Sequence, residues 1–160
     1  FNFLSSQSIG RLGGSRRFEV GERAMTSVMI VDDSVMMRSM IADIVTADPD
    51  FTVVDRAGNG YEALDKIRCS DCDIVLLDIE MPRMNGLEAL RHLRLISNAK
   101  VIVVSSSAQA GSRTALEARR EGAFAVIPKP SGAVSLDLRQ KKGHEILRAC
   151  RKAAGLAGTA

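Results

Sequence analysis

The chain has 160 residues, 46% of them hydrophobic and 26% charged, with a formal net charge of +3. That size and balance describe one soluble domain with one core and exclude a disordered polypeptide, while no apolar run approaches the roughly 20 residues that cross a bilayer. The basic residues form no stripe, and five Phe, one Tyr and no Trp leave little for base stacking, so neither nucleic acid nor membrane insertion is expected.

Residues 1–24 carry Gly10, Gly13, Gly14, several Ser and four Arg without hydrophobic periodicity. They lack the apolar centre of a signal peptide, and Glu19 and Glu22 argue against a transit peptide. The segment reads as a disordered leader or an added extension, with Met25 a plausible natural start. The folded domain is expected over 25–154, and 155–160 reads as the start of a linker.

From Val28 onward, short apolar runs alternate with longer amphipathic ones. VMIV (28–31), FTVVDRA (51–57), DIVLL (73–77), KVIVVS (100–105) and FAVI (124–127) predict five strands. The first helix starts after Ser34, buries Val35, Met36, Met40, Ile41 and Ile44 at helical spacing, and stops near Asp48-Pro49, because proline disfavours helical geometry in the residue before it. Further helices are predicted near 60–68, 86–96, 110–121 and 136–154, the last weakened by an internal Gly143. Cys69 and Cys72 have the spacing of half a zinc site. No second pair follows, His92 and His144 stand alone, and three cysteines including Cys150 suit a reducing, cytoplasmic compartment.

This alternation predicts an α/β fold, a doubly wound five-stranded parallel sheet of flavodoxin-like order 2-1-3-4-5 with five helices. Ligands of such sheets bind beyond the carboxyl ends of the strands. There the chain places Asp32 and Asp33 after the first strand, Asp78 after the third, Ser105, Ser106 and Ser107 at the fourth, and Lys129 with Pro130 at the fifth. Taken singly, each has a plain structural reading: an aspartate or serine after a strand is often a turn residue or a helix cap. Together, three carboxylates brought to one place call for a cation, and magnesium, held by carboxylates, waters and phosphate oxygens, suits them. An aspartate can be a nucleophile towards phosphorus, with the metal and a lysine offsetting charge on the transferring group.

The segments VMIVDDS, VLLDIEMPRMNGLEAL, VIVVSSS and IPKP resemble the four signature segments of bacterial response-regulator receivers, over roughly 27–154. The resemblance implies that Asp32 and Asp33 bind Mg2+, that Asp78 is phosphoacceptor and metal ligand, and that the backbone carbonyl of Glu80 completes the protein ligands. It further implies Ser105 as the switch hydroxyl, Lys129 as the phosphate-binding lysine, and a cis Lys129-Pro130 bond. SSSAQAGSRTALEARREGA and KPSGAVSLDL are similar to the receiver of the chemotaxis protein-glutamate methylesterase (CheB) family. That likeness implies a sensor histidine kinase as phosphoryl donor. It also implies an attached C-terminal methylesterase and glutaminase domain acting on chemoreceptors, which this chain does not contain.

The sequence departs from the family pattern at Val126, where many receivers carry an aromatic residue, and at Glu80, an acidic side chain beside the site. No phosphate-loop motif, complete dinucleotide fingerprint or nucleophile elbow is present, so no separate enzymatic activity is expected of the chain. Two alternatives stand beside this reading. One is a stand-alone or transcription-factor receiver working through protein contacts. The other is a metal-dependent phosphatase using Asp78 as nucleophile and Glu80 as its second acid.

Overall fold

The computed structural model describes residues 24–129 and 142–158. The leader up to residue 23, the Lys129-Pro130 bond, the stretch 130–141 and the last two residues lie outside them. Ten elements follow in order: β1 (Thr26–Val31), α1 (Val35–Thr46), β2 (Phe51–Ala57), α2 (Gly60–Cys69), β3 (Ile74–Leu77), α3 (Gly86–Ile96), β4 (Lys100–Ser105), α4 (Arg113–Arg120), β5 (Ala125–Pro128) and α5 (Gly143–Ala153). The strands form one parallel sheet in the order β2-β1-β3-β4-β5, as the alternation predicts.

The apolar runs are continuous because both faces of the sheet are covered. Successive side chains point to opposite faces, so each strand feeds two cores. Met29, Val31, Val75, Leu77, Val101 and Val103 pack with Ala63 and Ile67 of α2, Leu90 and Leu93 of α3 and Ala118 of α4. Val28, Ile30, Ile74, Leu76, Ile102 and Val104 pack on the other side with Ile41, Ile44 and Val45 of α1 and Ile146 and Cys150 of α5.

Four helices begin at a side-chain cap. Ser34, Asn59, Asn85 and Ser112 accept from the backbone N–H groups of Met37, Glu62, Glu88 and Ala115, satisfying donors a helix start leaves open. The predicted helix from 110 is shorter than expected. Gly111 takes φ 78°, outside the helical region, and α4 starts only after the extended cap Ser112. Gly143, expected inside the last helix, is the buried first residue of α5. A Cβ there would stand 3.8 Å from Ile44 of α1, an ordinary van der Waals contact.

Candidate functional site

Strand register builds the site. Val31 of β1 pairs with Leu77 of β3, so the next residues, Asp32 and Asp78, emerge side by side, and the Asp78 N–H donates to the Val31 carbonyl at 2.9 Å. Ser105 ends β4 opposite Pro128, and the Lys129 N–H donates to the Ser105 carbonyl at 3.0 Å. The sequence-predicted residues Asp32, Asp33, Asp78, Ser105 and Lys129 therefore share one end of the sheet. Asp32, Asp78, Ser105 and Lys129 are buried, whereas Asp33 is exposed at the rim.

Oxygens of Asp32, Asp33 and Asp78 lie within 4.8 Å of one another. Two oxygens on opposite sides of a magnesium ion, each about 2.1 Å from it, stand about 4.2 Å apart. Three donors around one octahedral ion include neighbouring pairs only about 3.0 Å apart, so these carboxylates would draw in to hold it, with solvent access on the Asp33 side. The capping interpretation of the first two aspartates does not hold for α1, whose cap is the Ser34 hydroxyl. Asp32 is instead held from three directions. Its Oδ1 accepts from the Ser34 N–H at 2.9 Å, its Oδ2 from Lys129 Nζ at 2.6 Å, and its backbone carbonyl from Arg38 at 2.6 Å.

Lys129 thus lies closest to Asp32, with Asp78 Oδ2 at 3.8 Å. One ammonium shared between Asp32 and Asp78, with the Asp33 carboxylate beside them, leaves the pocket short of positive charge. Burial pushes the Asp78 carboxyl above its ordinary range. Lys129 opposes the shift, the Asp32 charge adds to it, and hydrogen bonds from the Ser105 hydroxyl and the Glu80 N–H oppose it.

Glu80 places its N–H, not its side chain, at Asp78. Its exposed carboxylate lies 3.4 Å from the Ser106 hydroxyl. The Ser105 and Ser107 hydroxyls are 3.1 Å apart, and Ser112 rather than this triplet caps α4. Val126 is half-buried opposite Val103 and packs into the core beneath α2, α3 and α4.

The sequence reading missed three supports of the site. A Cβ on Gly86 would meet the Asp78 carbonyl oxygen at 2.2 Å and Ile79 Cα at 2.5 Å, so only glycine lets α3 begin this close to the loop. A glycine in the first turn of a helix was the available signal. Arg38 reaches back from α1 to the Asp32 carbonyl. The Gln109 side chain spans from the loop after β4 to the end of β5, donating to the carbonyls of Ser106 at 3.0 Å and Lys129 at 2.9 Å. Arg38 lies outside the signature segments, and Gln109, inside SSSAQAGSRTALEARREGA, carries no role in that resemblance.

A 2-1-3-4-5 parallel sheet with its acidic and basic side chains gathered beyond the strand ends belongs to the receiver class of α/β domains. A family profile described as the response regulator receiver domain matches residues 28–141, and the chain belongs to that family. The likeness is specifically to the chemotaxis methylesterase type. A protein-glutamate methylesterase/protein-glutamine glutaminase of Bacillus subtilis is 44% identical over 134 residues, covering 84% of this chain and 37% of that protein. The response regulator domain of Thermotoga maritima CheB superposes with a TM-score of 0.78 at 39% identity, covering 83% of this chain and 98% of that one. A complex of the CheA3 P1 domain with CheY6 from R. sphaeroides contains a chain 47% identical, with a TM-score of 0.67, covering 81% of this chain and 97% of that one. The chain thus spans about a third of the length of the curated methylesterase relatives, 37% for the one from B. subtilis. No helix among the described residues is long and apolar enough to cross a membrane.

Proposed function

We propose that this receiver takes a phosphoryl group on Asp78 and that the phosphorylated form controls a protein-glutamate methylesterase/glutaminase domain attached to it in the full-length protein. The observation that carries this reading is the convergence of three aspartate carboxylates within 4.8 Å, with Lys129 Nζ 3.8 Å from Asp78. Asp32, Asp33, Asp78 and the Glu80 backbone carbonyl would hold Mg2+, which when bound supplies positive charge for the phosphoryl oxygens.

The chemistry assigned to the chain's own groups is a displacement at phosphorus. An Asp78 carboxylate oxygen forms the new bond to phosphorus as the bond from phosphorus to the donor breaks, and the donor departs with that electron pair. Lys129, held between Asp32 and Asp78, is placed to offset charge on the transferred group. The Ser105 hydroxyl is placed to donate to one of its oxygens. A sensor histidine kinase is the proposed donor, as the resemblance to the CheY6 chain crystallised with CheA3 P1 suggests, and chemoreceptors are the proposed substrates of the attached domain. Glu80 turned towards Ser106 disfavours the phosphatase alternative, which needs a second acid at the nucleophile.

Acetyl phosphate with magnesium tests the proposal by intact mass. One added phosphoryl group is expected, lost in Asp78→Asn and in excess EDTA. Undiminished labelling of Asp78→Asn would defeat the assignment.

A further inference from the structure

We propose that Gln109 is a positioning residue: its side-chain amide clamps the loop after β4 to the end of β5, and release of the clamp governs how readily that loop closes on a phosphoryl group at Asp78. The closing step rests on the phosphoacceptor reading above. The clamp itself rests on geometry alone.

Gln109 Nε2 donates to the Ser106 carbonyl at 3.0 Å and to the Lys129 carbonyl at 2.9 Å. Both neighbours are acceptors only, so the NH2 end of the amide, with its two donors, is the end that fits between them. Other bonds in this loop are internal. The Ala108 N–H donates to Ser105 at 3.3 Å, the Ser112 N–H to the Gln109 carbonyl at 2.9 Å, and the Ser112 hydroxyl to the Ser107 carbonyl at 3.4 Å. On the opposite flank the Ser106 hydroxyl reaches Glu80 only at 3.4 Å, near the limit of a useful hydrogen bond. Beyond the ladder bond between Ser105 and Lys129, Gln109 is therefore the well-formed tie from loop to strand end among the described residues.

Its position matters because of what each end carries. The loop bears the Ser105 and Ser107 hydroxyls, 3.1 Å apart, and the Ser105 hydroxyl bonds to Asp78. The other end is the backbone of Lys129, whose ammonium enters the pocket 2.6 Å from Asp32. A phosphoryl group on Asp78 presents oxygens farther from β3 than the present carboxylate, and hydroxyls that re-aim at them take the loop with them. The bond from Gln109 to Lys129 then stretches or exchanges for water. Gln109 is exposed, so water replaces what is lost and the clamp shifts the loop's equilibrium modestly.

Two variants separate a hydrogen-bond clamp from mere packing. Gln109→Ala removes the side chain, while Gln109→Glu keeps its size but sets a carboxylate against two carbonyl oxygens. Both should speed amide hydrogen exchange at Ser106, Ser107 and Ala108 in the unphosphorylated protein. Both should also tighten binding of beryllofluoride, a phosphoryl-shaped anion, in the presence of magnesium. Each effect should be roughly threefold to tenfold, the worth of one net hydrogen bond, with the melting temperature lowered by no more than the few degrees that one such bond is worth, and at least as large in the Glu variant. A merely structural role would instead weaken beryllofluoride binding. Unchanged exchange in both variants overturns the clamp. Faster exchange with unchanged or weaker beryllofluoride binding overturns its link to closure. If the parent chain fails to bind beryllofluoride, or binding survives Asp78→Asn, the phosphoacceptor reading falls and the closing step with it, while the exchange rates still judge the clamp.

Discussion

Each end of the sheet holds a cation among buried aspartates, and the two are built to opposite ends. At the amino end, Arg151 of α5 reaches Asp48 at 2.7 Å and Asp50 at 2.9 Å, and its Nε donates to the Ala157 carbonyl. The Asp50 N–H donates to Asp48 as well, closing the turn between α1 and β2. Two carboxylates there face one planar guanidinium with donors to spare, and the pairing holds the Arg151 guanidinium even more firmly protonated than usual. At the carboxyl end three carboxylates face one ammonium, and burial raises the Asp78 pKa. The first cluster ties α5 and the residues after it to the body of the domain. The second is left unbalanced, which suits a site completed by a cation and a phosphoryl group.

Substitutions at the two ends should therefore fail differently. The largest loss of stability is expected from Lys129→Met in EDTA, about 3 kcal/mol, because Asp32 would be left buried without its partner. Magnesium should recover much of it and bind the variant more tightly than the parent, as calorimetric titration would read. Gly86→Ala should cost about 1–3 kcal/mol in urea unfolding and slow labelling, since its Cβ would strike backbone rather than a side chain. Arg151→Ala should lower the melting temperature by several degrees yet leave the labelling rate of Asp78 unchanged. A changed rate would show that the two ends are coupled.

The smallest effect concerns Asp78 itself. An acid whose pKa is higher in the folded state binds more protons folded than unfolded. Its contribution to stability therefore falls as pH rises from its unfolded pKa through its folded one. Above that window the raised pKa is a burden on the metal-free fold. Asp78→Asn should melt a few degrees higher than the parent in EDTA at pH 7 and lack that part of the pH profile. A lower melting temperature would reverse the reading.

Much of this was legible in the sequence because a two-sided parallel sheet writes its strands as apolar runs, and the residues ending those runs must share one end. Asp32, Asp78, Ser105 and Lys129 were found that way. Details set by contacts between distant segments were not. That Lys129 lies nearer Asp32 than Asp78 depends on the relative reach of β1, β3 and β5, and the Arg151 cluster joins residues 103 and 101 positions apart. Local backbone choices also escaped. Ser34 rather than an aspartate caps α1, and Gly111 delays α4, because a cap is decided by geometry that several polar neighbours could satisfy.

The imbalance of charge at the carboxyl end is tested most directly by thermal unfolding with and without magnesium in the parent chain, Asp33→Asn and Arg151→Ala. Asp33 is exposed, so its loss should spare the fold while removing one of the proposed metal ligands. At tenfold excess over its dissociation constant, magnesium should stabilise the parent by about 1.4 kcal/mol, or roughly 4 °C. At that same concentration Arg151→Ala should gain as much from its lower baseline, and Asp33→Asn should gain little. An equal gain in Asp33→Asn, or none in the parent at millimolar magnesium, would contradict the account.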